Sequence, residues 1–77
     1  MKKYRYSIVR GVFYSEDCGE YISYGIRLTK GCFIRREIET IHDVSTDISV
    51  VRKLVVSFNK HKLSPIHFKD AVEDAII

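Results

Sequence analysis

Partway along this chain the spacing of apolar residues changes, and that change constrains the fold more than any other feature. In residues 21–29 (YISYGIRLT), Ile22, Tyr24, Ile26 and Leu28 alternate with Tyr21, Ser23, Gly25, Arg27 and Thr29. A period of two belongs to a strand with one buried face. In residues 48–59 the apolar positions are instead Ile48, Val51, Val55 and Phe58, with Val50 and Leu54 beside them. That spacing is the stripe of an amphipathic helix. A chain carrying the two patterns in separate blocks folds as α+β, strands first and helices after. Its 77 residues suffice for one core, so residues 1–77 are expected to form a single domain.

The flanking segments extend the pattern. Residues 3–14 (KYRYSIVRGVFY) are rich in strand-favouring Tyr, Val, Ile and Phe. Tyr4, Tyr6, Ile8, Val12 and Tyr14 share one parity while Arg10 interrupts it, which predicts a bulge at Arg10-Gly11. Residues 15–20 (SEDCGE) read as a polar turn, with Gly19 free to take a positive φ. Lys30-Gly31 reads as a tight hairpin connection into a third strand over residues 32–41 (CFIRREIETI). There Ile34 and Ile38 are expected inward, with Arg35, Glu37 and Glu39 outward. Ser45, Thr46 and Asp47 offer three N-caps for a first helix over 47–60, and Lys60, His61 and Lys62 suit its C-terminus. Ser64-Pro65 places a capping hydroxyl before a proline at the first helical position. Leu63 and Phe68 flank it as a hydrophobic staple. Phe68, Val72, Ala75 and Ile76 continue one stripe, predicting a second helix over 65–75. The expected architecture is a three-stranded antiparallel meander (about 3–14, 21–29 and 32–41) with both C-terminal helices on one sheet face. That two-layer fold would bury Ile22, Tyr24, Ile26, Leu28, Ile34 and Ile38.

Function is narrowed by exclusion. No apolar run exceeds three residues, which predicts neither a membrane span nor a signal-peptide core. A cytoplasmic chain is expected, with Cys18 and Cys32 as reduced, incidental thiols. The sequence holds no G-x-S-x-G and no phosphate-cradling glycine loop, and no ordering of Ser, His and Asp suggests a triad. The expectation is therefore a non-enzyme without a cofactor. The net charge of +3 lies wholly in the half before Thr40, a mild bias that suits solubility as well as any anionic partner.

Two groups of residues are candidates for binding. His67, Asp70 and Asp74 fall on one helical face, but without a recognised metal motif a solvated polar face is the better reading. Asp70, Glu73 and Asp74 lie in later turns, where they oppose the helix dipole. Pairing with Arg52 and Lys53 resolves this, or else a partner protein does. With Tyr21 they form the candidate protein-interaction set. The alternative set, for nucleic acid, is Arg5, Arg27 and Arg35, which with Tyr21 would lay cations and a ring across an open sheet face. Glu37 and Glu39 stand against it. Arginines clustered away from those carboxylates favour nucleic acid; interleaving with them favours a protein partner. The apolar end Ile76-Ile77 also needs covering, by the first strand or a second copy.

The run DVSTD (residues 43–47), the amphipathic helix after it and LSPIHFKDAVED (residues 63–74) resemble a family of small bacterial proteins of unknown function, close to this length. The tyrosine-rich strand before YISYGI fits the same pattern. The resemblance implies a bacterial, cytoplasmic protein and no activity. The resulting expectation is a small non-catalytic protein-interaction or regulatory module, binding an unidentified protein or its own copy. The alternative is a weak nucleic-acid binder using the basic sheet half.

Overall fold

The structure, a computed structural model, describes residues 3–76. β1 (Tyr4–Ser15), β2 (Gly19–Lys30) and β3 (Arg36–Ser45) come first. They pair as one antiparallel sheet in the order β1-β2-β3. α1 (Ile48–Lys60), a 3-10 turn (Pro65–His67) and α2 (Phe68–Ile76) follow. The α+β meander followed by two helices is thus the observed architecture.

Tyr6, Ile26 and Leu28 from the sheet meet Val51 and Phe58 of α1 and Phe68 and Val72 of α2 in one core. The alternation in β2 positions Ile26 and Leu28 on this inner face, and both are fully buried. Three rings tie the layers together. Tyr6 stands edge-on to Phe58 at 5.3 Å and to Phe68 at 5.1 Å, and Phe58 is edge-on to Phe68 at 6.3 Å. Such edge-to-face pairs add about 0.5–1.5 kcal/mol each beyond the area they bury.

β1 and β2 pair without a break from Tyr4 opposite Lys30 to Ser15 opposite Gly19. The bulge expected at Arg10-Gly11 is therefore absent. The space a side chain would take at Gly11 is filled by the Phe13 ring, 2.8 Å from the ideal Cβ position. The irregularities fall between β2 and β3 instead. Leu28 pairs with Glu39 while Thr29 pairs with Glu37, which leaves Ile38 unpaired. Tyr24 pairs with Ser45 while Ile26 pairs with Ile41, so His42, Asp43 and Val44 all stand opposite Gly25. Asp43 takes a left-handed φ of 55° in this wide bulge, a conformation aspartate tolerates better than most residues. Gly25 permits it, because a Cβ there would run into the Ile41 carbonyl.

β3 begins at Arg36 rather than near residue 32 and runs on to Ser45. Residues 31–35 form a loop, entered through Gly31 at φ +126°, so the connection is longer than a tight hairpin. Loop and bulge together reverse the expected parity. Glu39 and Ile41, not Ile34 and Ile38, stand opposite the core residues Leu28 and Ile26. Ile34 is 82% exposed in the loop beside the fully exposed Phe33, and Ile38 is 45% exposed. Ile22 is also exposed, because β3 pairs with β2 only from Tyr24 onward. Residues 11–23 consequently project as a two-stranded ribbon.

Of three possible caps the fold uses Asp47, whose Oδ1 accepts from the Ser49 backbone N–H at 2.9 Å and the Ser49 hydroxyl at 2.7 Å. α1 ends in a Schellman turn. Leu63 N–H reaches the Phe58 carbonyl at 2.9 Å and Lys62 N–H the Asn59 carbonyl at 3.3 Å. The left-handed position, usually glycine, is Lys62 at φ 52°. Pro65 opens a 3-10 turn, so α-helix starts only at Phe68, and the Ser64 side chain makes no capping bond. Leu63 and Phe68 both join the core as the staple requires. The α2 stripe is buried at Phe68 and Val72, but Ala75 and Ile76 are exposed; Ile77 lies outside the described residues. Cys18 and Cys32 are both exposed and free, at opposite ends of β2. At about 3.3 Å per strand residue they cannot reach one another.

Candidate functional site

β1 is an edge strand, and its outer edge has two different ends. At Tyr6 the edge is closed by α1. The Tyr6 N–H donates to Asn59 Oδ1 at 2.9 Å, and Asn59 Nδ2 donates to the Tyr6 carbonyl at 2.8 Å. The Tyr6 phenol also donates to the Leu63 carbonyl at 2.8 Å. Burial, and secondarily the charge of Glu39, push that phenol above the ordinary tyrosine value. Since Tyr6 turns its backbone groups outward and the register with β2 is unbroken, Ile8, Arg10, Val12 and Tyr14 turn theirs outward too. Among the described residues nothing bonds to that stretch of edge. The ribbon it borders exposes Val12 (64%) and Tyr14 (73%) on its inner face.

Beside the Asn59 clasp lies a cleft of about 680 Å³. Lys3 and Arg5 enter it from the start of β1, Arg35 from the loop before β3, and Lys62 from the turn after α1. Among the described residues no carboxylate lines it. Arg35 Nη1 donates to Thr29 Oγ1 at 3.4 Å, and that hydroxyl donates to the Arg5 main-chain carbonyl at 3.4 Å, which ties the Arg35 side chain to the backbone of β1. Lys3, Tyr4 and Lys62 are not among the binding candidates read from the sequence. The clusters Lys3-Tyr4-Arg5 and Lys60-His61-Lys62 were the signal, but they lie 55 or more residues apart in the chain and only the fold joins them.

On the outer sheet face a second cluster forms over the wide bulge. Tyr21 packs its ring on Phe13 at 5.8 Å and donates its hydroxyl to Asp43 Oδ2 at 2.7 Å. Phe13 also meets His42 at 6.5 Å. Ser23 beneath is wholly buried and its hydroxyl lacks a well-formed hydrogen bond. The Ser23 hydroxyl, and after it the Tyr21 phenol, hold the Asp43 carboxyl below its usual range. The bond to Asp43 in turn raises the Tyr21 phenol.

The sequence-derived candidates do not assemble into one site. Tyr21 is half-buried on the outer face, whereas Asp70, Glu73 and Asp74 are exposed on α2 at the other side of the sheet. Arg52 and Lys53 do not pair with those acids; the one ion pair among the described residues is Arg27 to Glu37 at 3.0 Å. The basic set also divides. Arg27 is held by Glu37 on the sheet face, while Arg5 and Arg35 line the cleft. Among the described residues no three His, Cys, Asp or Glu side chains come together as metal ligands.

The comparison with family models decides the classification: that of the Family of unknown function (DUF6514) matches residues 1–77, the whole chain. The chain belongs to the DUF6514 family. No curated protein and no solved structure matched it. What this DUF6514 chain offers a ligand or partner is therefore read from its own geometry: an open strand edge, a basic cleft and an acidic helix face.

Proposed function

We propose that this DUF6514 protein is a small non-catalytic protein-interaction module of the bacterial cytoplasm, binding by strand addition to the free edge of β1, and that the occupant is a second copy of the chain. The carrying observation is the contrast along one edge. Asn59 closes it at Tyr6, while the outward N–H and C=O groups of Ile8, Arg10, Val12 and Tyr14 are open on a ribbon that exposes Val12 and Tyr14. Open edges of this length are templates for another strand.

Charge favours a copy of the same chain. The ribbon tip carries Glu16, Asp17 and Glu20, and the other end of β1 carries Lys3 and Arg5, with Arg10 between. A two-fold antiparallel pairing about Val12 brings the acidic tip of each copy toward the Arg10 and Arg5 of the other. No described helix is long and apolar enough to cross a membrane. The nucleic-acid alternative over the sheet face has less support, since Glu37 occupies Arg27.

Val12→Pro tests the reading. It removes an outward N–H and leaves the inward ladder to β2 intact. Sedimentation of wild type is expected to show a concentration-dependent dimer, and of Val12→Pro a folded monomer. Wild type that stays monomeric to the millimolar range overturns the proposal.

A further inference from the structure

We infer that the cleft between the start of β1, the loop before β3 and the turn after α1 binds a phosphorylated aromatic ligand of the nucleotide class. Four cationic residues, Lys3, Arg5, Arg35 and Lys62, line it from three separate segments, and among the described residues no carboxylate does. None of them forms an ion pair among the described residues. Like charges lining one concave wall repel, and an anion bound among them relieves that repulsion. Phosphate, with its several acceptor oxygens, suits arginine forks and lysine ammonium groups together.

Size and lining extend the ligand beyond phosphate. A volume of about 680 Å³ is that of a small-molecule site rather than of a lone anion. Tyr4 lines the cleft and is 40% exposed, with the Lys30 ammonium 6.0 Å from its ring centroid, and the ring offers a surface for a base to stack on. The Ser64 hydroxyl, unused as a helix cap, lines the same wall and can bond a ribose or phosphate oxygen. Two features hold the wall in shape. The hydrogen bonds from Arg35 through Thr29 to the Arg5 main-chain carbonyl tie the Arg35 side chain to β1, and the Schellman turn presents Lys62 where glycine would be the relaxed choice. The inference is independent of strand pairing at Val12, which lies at the other end of β1.

Titration calorimetry of the full chain with ADP, inorganic phosphate and a ten-nucleotide single strand, each at 50 and 200 mM salt, tests it. ADP is expected to bind at least about tenfold more tightly than phosphate. Arg35→Gln and Lys62→Gly are each expected to weaken ADP by about tenfold, and Tyr4→Ala to narrow the gap between ADP and phosphate. Lys62→Gly also relaxes a left-handed backbone, so its loss of binding cannot come from unfolding; a melting curve confirms this. If the strand binds more tightly than ADP, with a steep salt dependence, the nucleotide belongs to a polymer; the reverse order assigns a free nucleotide. Absence of binding by ADP and the strand at millimolar concentration overturns the inference. So does an equal loss in Arg27→Gln, which alters charge outside the cleft.

Discussion

Tyr21 and Asp43 titrate in opposite directions because they share one hydrogen bond. The Asp43 carboxyl is held down, by Ser23 first and Tyr21 second, and the Tyr21 phenol is pushed up by Asp43. Asp43 therefore stabilises the fold fully above the ordinary carboxylate value and loses that contribution as pH falls through its lowered one. Tyr21 contributes fully below the ordinary value of 10.0 and loses its share as pH rises through its raised one. In NMR titrations Asp43→Asn is expected to return Tyr21 toward its ordinary value, whereas Tyr21→Phe leaves Asp43 still depressed through Ser23. An unchanged Tyr21 titration in Asp43→Asn would sink this account. The other residue under tension is Lys62. Relief of its left-handed backbone in Lys62→Gly is expected to stabilise the fold by about 1 kcal/mol, by thermal denaturation.

At the level of elements, the two glycines facing out of the ribbon and sheet have unequal duties. A methyl at Gly25 meets the Ile41 carbonyl, which is backbone, while a methyl at Gly11 meets the Phe13 ring, which can rotate away. Gly25→Ala is therefore expected to cost about 2–3 kcal/mol in denaturant unfolding, and Gly11→Ala clearly less; equal costs would refute the bulge as described. This bulge is also where reading from sequence failed. The alternation of β2 and the α1 stripe were legible, because each is a local pattern; Ser64-Pro65 marked the break after α1, but Pro65 opens a 3-10 turn and the Ser64 side chain caps nothing. β3 was not, because its parity depends on which residues are squeezed out against β2, and Ile38 is as apolar as a core residue while standing unpaired. The cleft was half legible: Arg5 and Arg35 could be singled out as exposed cations, but Lys3 and Lys62 line one cleft only because Asn59 docks the end of α1 on β1.

On the scale of the whole molecule, the long dimension of 46 Å against 26 and 19 Å suits a hairpin that outruns its helices. Stability should grade along it. Amides of β2 between Tyr24 and Lys30, paired on both sides, are expected to exchange slowly with solvent, and those of residues 11–23 quickly. Along the outer edge of β1, Tyr6 should be protected while Ile8, Arg10, Val12 and Tyr14 are not, until concentration drives pairing. A uniform exchange rate along β1 in dilute solution would contradict the one-sided clasp. That clasp joins residues 53 positions apart, which has a consequence for synthesis. Once β1 and β2 have emerged they can zip together, but until Asn59 follows, the edge at Tyr6 is as exposed as the rest. During that interval neighbouring nascent chains present matching open edges, and the order of emergence, rather than the finished fold, governs how long each is vulnerable to its neighbour.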